Sequence, residues 1–565
     1  MTISNESKAF FIKLSKIWQN FKDYSYLEGI NLSAEQINII ENDEDQLLIE
    51  GYAGTGKSLT LLYKFINVLL REESKRILFV TYNSTLIEDT KKRLLTSKEY
   101  CENVHKHKAY IMTFHEMATD ILKKIKVIER GIGKITIEKQ KKYEDTAFRR
   151  IAPLWAEYTE SIFLPKEEKL YKTHTIKFIV EEIAWIKAMG LINLDRYLMT
   201  ERTGRSKSIR LTRSQRKTIF KIYERYQKDI DSKKYGESLD LEDYALKIIY
   251  NKHLISDEYK FDYIFVDEVQ DLDPMQIMAL CQLTKKSIVL SGDAKQRIYK
   301  KSPIKYEDLG LNIKEKGKRK ILNKNYRSTE QIITLANSLK FSDSEGKFSE
   351  KQFVKQGDRP IIHATKTRTL AAKYLVNSIK EIFNKYPEKS IAIVHREEIK
   401  EKKDYKSDLR KYIEKELMIS ISDISNYSKK FNYNKEKQVF YTNVYDVKGL
   451  EFDYVFIVDF NKKYYPNEEE IKKIKESNEG KDEQLINEDI LEFINREKKL
   501  LYVAMTRAKE KLFLIADGNN GKMRISNFIY DFSNKDYEAS GFTKKSIEDS
   551  KERYEKYIKS ISNQI

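Results

Sequence analysis

Between the apolar run Leu47-Leu48-Ile49 and a helical pattern beginning at Leu59 stands Gly51-Tyr52-Ala53-Gly54-Thr55-Gly56-Lys57-Ser58, a complete G-x-x-x-x-G-K-S sequence. Its glycines let the backbone turn so that successive N–H groups face a phosphate, and the following helix presents its positive end. Lys57 supplies a mobile charge, and the Ser58 hydroxyl can ligate magnesium. A glycine-rich surface turn would not need a strand before it and a helix after it. The stretch therefore predicts an α/β chain that binds a nucleoside triphosphate through Gly51, Ala53, Gly54, Thr55, Gly56, Lys57 and Ser58.

The chain has 565 residues, 40% of them hydrophobic, enough for three or four domain-sized units with cores of their own. Lys plus Arg number 105 against 87 Asp plus Glu, a formal charge of +18, which suits a polyanion such as nucleic acid or an anionic membrane surface. A coding bias toward AT would also inflate Lys and Tyr, so charge alone decides little. The two cysteines, Cys101 and Cys281, exclude a disulfide scaffold or a zinc cluster and fit a reducing compartment. The amino terminus, with Lys8, Lys13 and Lys16 among Phe10, Phe11 and Ile12, reads as an amphipathic helix rather than a signal peptide. No apolar run has membrane-spanning length, and the expectation is a cytoplasmic protein without a membrane partner.

Upstream of the loop, Ser33 is an N-cap signal for a short helix carrying Gln36, whose amide has the donor and acceptor that match adenine, although a lone Gln is more often a solvated helix residue. The strand-like runs Ile77-Leu78-Phe79-Val80 and Tyr110-Ile111-Met112 end in Thr81-Tyr82-Asn83 and Thr113-Phe114-His115, at the edge where open α/β sheets bind ligands. From about 120 to 235 the period becomes helical, as in Ile179, Ile183 and Ile186 and in Ile219, Ile222, Tyr223 and Tyr226. Within it Arg205, Lys207, Arg210, Arg213, Arg216 and Lys217 read equally well as a phosphate-lining run and as a solvated basic loop. Tyr263-Ile264-Phe265-Val266 then runs into Asp267 and Glu268, placing one carboxylate for magnesium and a second to activate water. Ser287-Ile288-Val289-Leu290 leads to Gln296, a candidate sensor of the terminal phosphate. A second α/β unit without a phosphate loop follows, with Arg327 and Arg507 in segments that could reach a nucleotide held by the first. Single arginines are more often salt-bridged surface residues.

Taken together and in order, these segments resemble the superfamily 1 helicases of the UvrD/Rep type, over roughly half the chain. The resemblance implies two RecA-like P-loop domains with parallel sheets and a helical insert in the first. The first domain would cover 1–115 and 236–297, the insert 116–235, and the second domain 298–540 with a reduced insert near 400–440. Residues 541–565 would form a helical tail. It further implies ATP and Mg2+ as cofactors, Gln36 as the adenine reader, Asp267 and Glu268 as the metal-holding and water-activating pair, and Gln296 as the sensor. Tyr326 would stack on adenine, Arg327 and Arg507 would be arginine fingers, and Glu451 would contact the nucleotide sugar. Tyr82, Asn83, Thr113, Phe114, His115 and Tyr299 would form the nucleic-acid track, and Leu239-Asp240-Leu241-Glu242-Asp243-Tyr244 matches a stretch ahead of the carboxylate pair.

The sequence departs from the family at Gln296-Arg297-Ile298-Tyr299-Lys300-Lys301-Ser302, which lacks the usual tryptophan, and at Tyr445, where histidine is common. The stretch from Arg327 to Tyr445 is mostly consumed by second-unit strands, leaving no room for the large insert of processive relatives. The expected activity is an ATP-driven translocase or helicase on single-stranded DNA, moving 3′ to 5′, with RNA left open. The alternative is a nucleotide-gated subunit of a repair or defence complex, with a protein partner such as a nuclease. A monomer is expected in isolation.

Overall fold

Runs such as Ile77-Leu78-Phe79-Val80 have no polar side, which suits strands covered on both faces. A computed structural model of the protein describes residues 24–51, 54–81, 84–132, 137–160, 174–200, 211–236, 238–293, 304–341, 355–396, 408–423, 437–444, 450–477, 483–518 and 522–552, with Leu170, Gln352, Phe353 and Val447 between them. In it these runs assemble into two parallel sheets.

The first sheet contains β1 (Gln46–Gly51), β2 (Arg76–Thr81), β3 (Lys108–Thr113), β4 (Phe261–Val266), β5 (Thr284–Gly292) and β6 (Arg319–Leu322), in the order β3-β2-β4-β5-β1-β6. Leu48 lies beside Leu290, and Ile264 sits between Leu78 and Ile288. Because side chains alternate along a strand, Leu47, Ile49, Ile77, Phe79, Phe265 and Val289 share one face with the helix Lys57–Arg71. Leu48, Leu78, Val80, Ile264, Val266, Ile288 and Leu290 face the other way, into a core continuous with the helices of the insert.

Those helices include Ile137–Glu160, Ile176–Ala188, Leu194–Met199 and Arg213–Asp231, and their expected apolar stripes are buried. Lys187, wholly buried, ties them to the first sheet: its Nζ lies 2.7 Å from Asp240 and 3.0 Å from Asp243. Tyr226 donates to Asp240 at 2.8 Å, and Arg150 stands 3.9 Å from the same carboxylate. Burial opposes the Lys187 charge, but the two carboxylates outweigh it and raise the ammonium above its ordinary value. The stretch Leu239–Tyr244 thus works as an anchor for the insert.

The division expected between residues 297 and 298 is corrected. Leu309, Leu311 and Ile313 pack on the first core, and β6 pairs with β1, so the first unit continues to Leu322. A four-residue edge strand, Arg319-Lys320-Ile321-Leu322, has too little apolar pattern to be recognised in advance.

The short parallel pair β7 (Lys324–Asn325) and β8 (Gln352–Phe353) precedes the second sheet. That sheet contains β9 (Ile361–Ala364), β10 (Ile391–His395), β11 (Ser422–Asp423), β12 (Val439–Asn443), β13 (Phe452–Ile457), β14 (Ala508–Ala516) and β15 (Glu538–Ser540), in the order β11-β12-β10-β13-β14-β9-β15. Alternation again splits its core, with Val394, Val455 and Leu514 on one face and Ile393, Phe456 and Phe513 on the other. Near 400–440 the described residues form the helix Asp408–Leu417 and the edge strand β11. Past residue 541 they form one helical stretch, 544–552, with Ile547 against the second core.

Candidate nucleotide cleft between the two sheets

β1 ends at Gly51, and the loop that follows turns through Gly54 and Gly56 at φ +83° and +84°, left-handed values that favour glycine. Space makes the same demand: a Cβ on Gly56 would stand 2.4 Å from the Gln36 Nε2, and one on Gly54 2.8 Å from the Asn325 amide. Ser33 and Gln36 form a reciprocal capping box, in which the Ser33 N–H donates to the Gln36 Oε1 at 2.9 Å. The amide is therefore fixed with its nitrogen toward the phosphate loop. Lys57 opens the helix Lys57–Arg71 and is buried at its start.

β4 ends at Val266 and delivers Asp267, whose N–H extends the sheet by donating to the Val80 carbonyl at 2.9 Å. The Asp267 carboxylate accepts from the Ser291 hydroxyl at 2.6 Å and from Ser58. Burial, then the neighbouring Glu268, push its carboxyl up to about 6, against the pull of Ser291, Ser58 and Lys57. Ser58 and Asp267 form an all-oxygen set that suits Mg2+, and the cation would relieve the burial and repulsion that raise Asp267.

Glu268 adopts a left-handed backbone, φ 52° and ψ 46°, which turns it away from the strand direction. Gln270 holds it there: its amide donates to the Glu268 carboxylate, and its Oε1 accepts the Asp293 N–H at 3.1 Å. Sequence reading missed Gln270 and Ser291. The only signal was position, Gln270 two residues beyond Glu268 and Ser291 at the end of β5.

The second unit meets this loop directly. The Tyr326 N–H donates to the Gly54 carbonyl at 2.9 Å, and the Arg327 Cβ lies 2.9 Å from where a Cβ on Gly54 would stand. Asn325 shapes the turn, its Oδ1 accepting the Arg327 and Ser328 N–H groups at 3.1 Å each. The Ser328 hydroxyl donates to the Ala508 carbonyl at 2.6 Å, joining this turn to the segment that carries Arg507. Arg327 is ion-paired with Glu451. Arg507 is buried at the end of the helix Glu483–Met505, donating to the Val503 carbonyl at 3.0 Å and the Leu450 carbonyl at 3.5 Å. Burial and the charge of Arg327 lower its pKa to about 10, while Glu268 and Glu451 pull the other way. Burial would raise Glu451, yet Arg327, Arg93, Lys509 and Arg507 bring it down to about 2. Tyr326 is half-buried, and Lys324 lies 5.7 Å above its ring.

Residues 32–301 match the UvrD/REP helicase N-terminal domain, and residues 321–416 and 397–518 match the UvrD-like helicase C-terminal domain. The chain belongs to the UvrD/REP helicase family. It is 25% identical over 382 residues to a probable DNA helicase II homolog of Mycoplasma capricolum subsp. capricolum, covering 65% of this chain and 49% of that protein. It is 22% identical over 367 residues to the ATP-dependent DNA helicase PcrA of Leuconostoc citreum, covering 62% and 44%, and 24% identical over 362 residues to PcrA of Staphylococcus epidermidis, covering 62% and 45%. The chain spans about half the length of these curated relatives.

In this UvrD/REP family member the expected nucleic-acid track needs correction at one strand end. Thr113 is buried as the N-cap of the helix Phe114–Lys124, in a capping box with Glu116, and its hydroxyl lies 3.0 Å from that carboxylate. Phe114 is in the core, 1% exposed, so its ring is closed to a base. His115 has one ring nitrogen 3.3 Å from the Leu241 carbonyl, and burial pushes it down to about 4, leaving it neutral. Arg216, from the basic run, donates to the Leu198 and Thr200 carbonyls at 3.0 and 2.9 Å and lies 4.4 Å over the Tyr197 ring, so it caps the helix Leu194–Met199 rather than facing a phosphate. Arg213 and Lys217 are exposed. Ala53, Tyr82, Asn83, Gln296, Tyr299 and Tyr445 lie outside the described residues, as do Arg205, Lys207 and Arg210. Among the described residues no helix is long and apolar enough to cross a membrane.

Proposed function

We propose that this chain is an ATP-driven motor on single-stranded DNA that moves 3′ to 5′, hydrolysing ATP in the cleft between its two sheets. The carrying observation is that the Tyr326 N–H of the second unit donates to the Gly54 carbonyl of the phosphate loop at 2.9 Å, which sets Arg327 against that loop. In this reading Lys57 and the loop hold the phosphates, while Ser58 and Asp267 would hold Mg2+, which when bound would supply positive charge to the phosphates. Glu268, oriented by Gln270, takes a proton from the attacking water. Arg327 and Arg507 stabilise charge on the transferring phosphoryl group, and Gln36 and Tyr326 receive the base. Because the arginines and the loop belong to different units, loss of the terminal phosphate removes what they share, and the cleft opens. Repeated closing and opening advances the chain along the strand. The test is steady-state ATPase with and without single-stranded DNA, beside Glu268→Gln. Stimulation by DNA, with turnover lost but ATP still bound in Glu268→Gln, is expected; a rate indifferent to DNA and to this substitution would overturn it.

A second reading, a nucleotide-gated subunit that binds a protein partner without unwinding, is favoured by Lys301 standing where the family has a base-stacking tryptophan. It predicts no displacement of tailed duplexes together with a stoichiometric partner on purification.

A further inference from the structure

The helix Ala34–Ile40, which carries Gln36, is too short to hold its own geometry, so something outside it must fix where the Gln36 amide sits. At its amino end the capping box fixes the amide's orientation. At its carboxyl end the carbonyls of Ile39, Ile40 and Asn42 converge on one side chain of the phosphate-loop helix. The Lys64 Nζ donates to the carbonyls of Ile39 at 3.3 Å and Ile40 at 3.2 Å, and to that of Asn42. One turn further on, the Asn67 Nδ2 reaches the Ile40 carbonyl at 3.4 Å.

An ammonium has three donors and no acceptor, and a helix carboxyl terminus is the negative end of its dipole. Lys64 is only 6% exposed, and among the described residues no carboxylate lies within ion-pair distance of it. Burial pushes its ammonium down to about 8, with Asp43 opposing and Arg71 reinforcing the change. A buried lysine is a costly way to hold a surface helix unless the placement matters. What it places is Gln36, whose Nε2 lies against Gly56.

We propose that Lys64 is a positioning residue for base selection: by bolting the Gln36 helix to the phosphate-loop helix, it sets the distance from bound phosphates to the base-reading amide and hence the preference for ATP over GTP. The proposal rests on the reading of Gln36 as the base contact. Lys64 touches no nucleotide, so it acts on KM through Gln36 and not on the chemical step.

The test compares ATP and GTP hydrolysis by the full chain and by Lys64→Met, Lys64→Arg and Gln36→Ala. Lys64→Met is expected to raise KM for ATP about tenfold, the worth of one ordinary hydrogen bond, with KM for GTP and both kcat values within about twofold. Lys64→Arg, which can reach the same carbonyls, should restore the preference. Retained preference in Gln36→Ala would mean that the base reader is misassigned, and the proposal would fall with it. Lost preference in Gln36→Ala but not in Lys64→Met would overturn the role of Lys64 alone. An equal fall in kcat for both nucleotides in Lys64→Met would reduce Lys64 to a structural lysine and overturn it too. Should Lys64→Met fail to fold, Lys64→Gln keeps two donors on a shorter stem and gives the same comparison.

Discussion

Replacing Lys187 by Met removes a buried ammonium that joins the helical insert to the stretch ahead of β4. The side chain is wholly buried, and the Asp240 and Asp243 side chains beside it are 10% and 2% exposed, so both carboxylates would be stranded with Arg150 at 3.9 Å as the nearest remaining cation. Breaking a buried pair by removing one partner costs about 3–5 kcal/mol, whereas removing all the charges together is often neutral. Lys187→Met should therefore lose about that much at pH 7.5, and the triple variant with Asp240→Asn and Asp243→Asn should recover most of it. The pH dependence has a definite sign. Burial already raises the Asp243 carboxyl, and losing the ammonium raises it further above its unfolded value. The folded variant then takes up protons as pH falls, and its deficit shrinks between pH 7.5 and 5.5. Urea unfolding followed by tryptophan fluorescence is a local assay, because Trp18, Trp155 and Trp185 all lie in the amino-terminal third. Trp185 is buried two residues from Lys187. A deficit below about 1 kcal/mol, the size of a surface pair, or one equal at both pH values would refute the reasoning.

The same logic gives Asp267 the opposite sign. Its carboxyl is raised to about 6, so the ionised native state is disfavoured at pH 7.5, and Asp267→Asn should gain about 1–3 kcal/mol while losing Mg2+-dependent turnover. In thermal melts that gain should vanish as pH falls through about 6, where the natural carboxyl takes up its own proton. Gly56→Ala puts a Cβ 2.4 Å from the Gln36 Nε2 on a left-handed backbone, and titration with a fluorescent ATP analogue should find binding weakened by at least about tenfold.

The candidate cleft was legible because phosphate chemistry would require particular residues at fixed spacing. Gly54, Gly56, Lys57, Ser58, Asp267, Glu268, Arg327 and Arg507 announced themselves in sequence and meet in space. Phe114 reads in sequence as a base-stacking candidate and is closed in the core, because a strand end and a helix start occupy the same residues. The capping box from Thr113 to Glu116 was present in the sequence and predicts the helix that buries Phe114. Strand β6 was missed because edge pairing is decided by β1, far away in the chain. Lys187 and Lys64 were invisible for a related reason: their partners, Asp240 and the carbonyls of Ile39 and Ile40, are remote in sequence and leave no local pattern. Charges whose partners are remote read as surface until the fold brings those partners to them.

The claim on which the rest depends is that both units act on a single triphosphate. Arg507→Lys keeps a cation at the buried position but loses the guanidinium fork, and kcat for ATP hydrolysis beside equilibrium ATP binding measures the consequence. The account predicts a fall in kcat of about a thousandfold, in the range of a lost arginine finger, with ATP affinity within a few-fold of the natural chain. An unchanged kcat would contradict it.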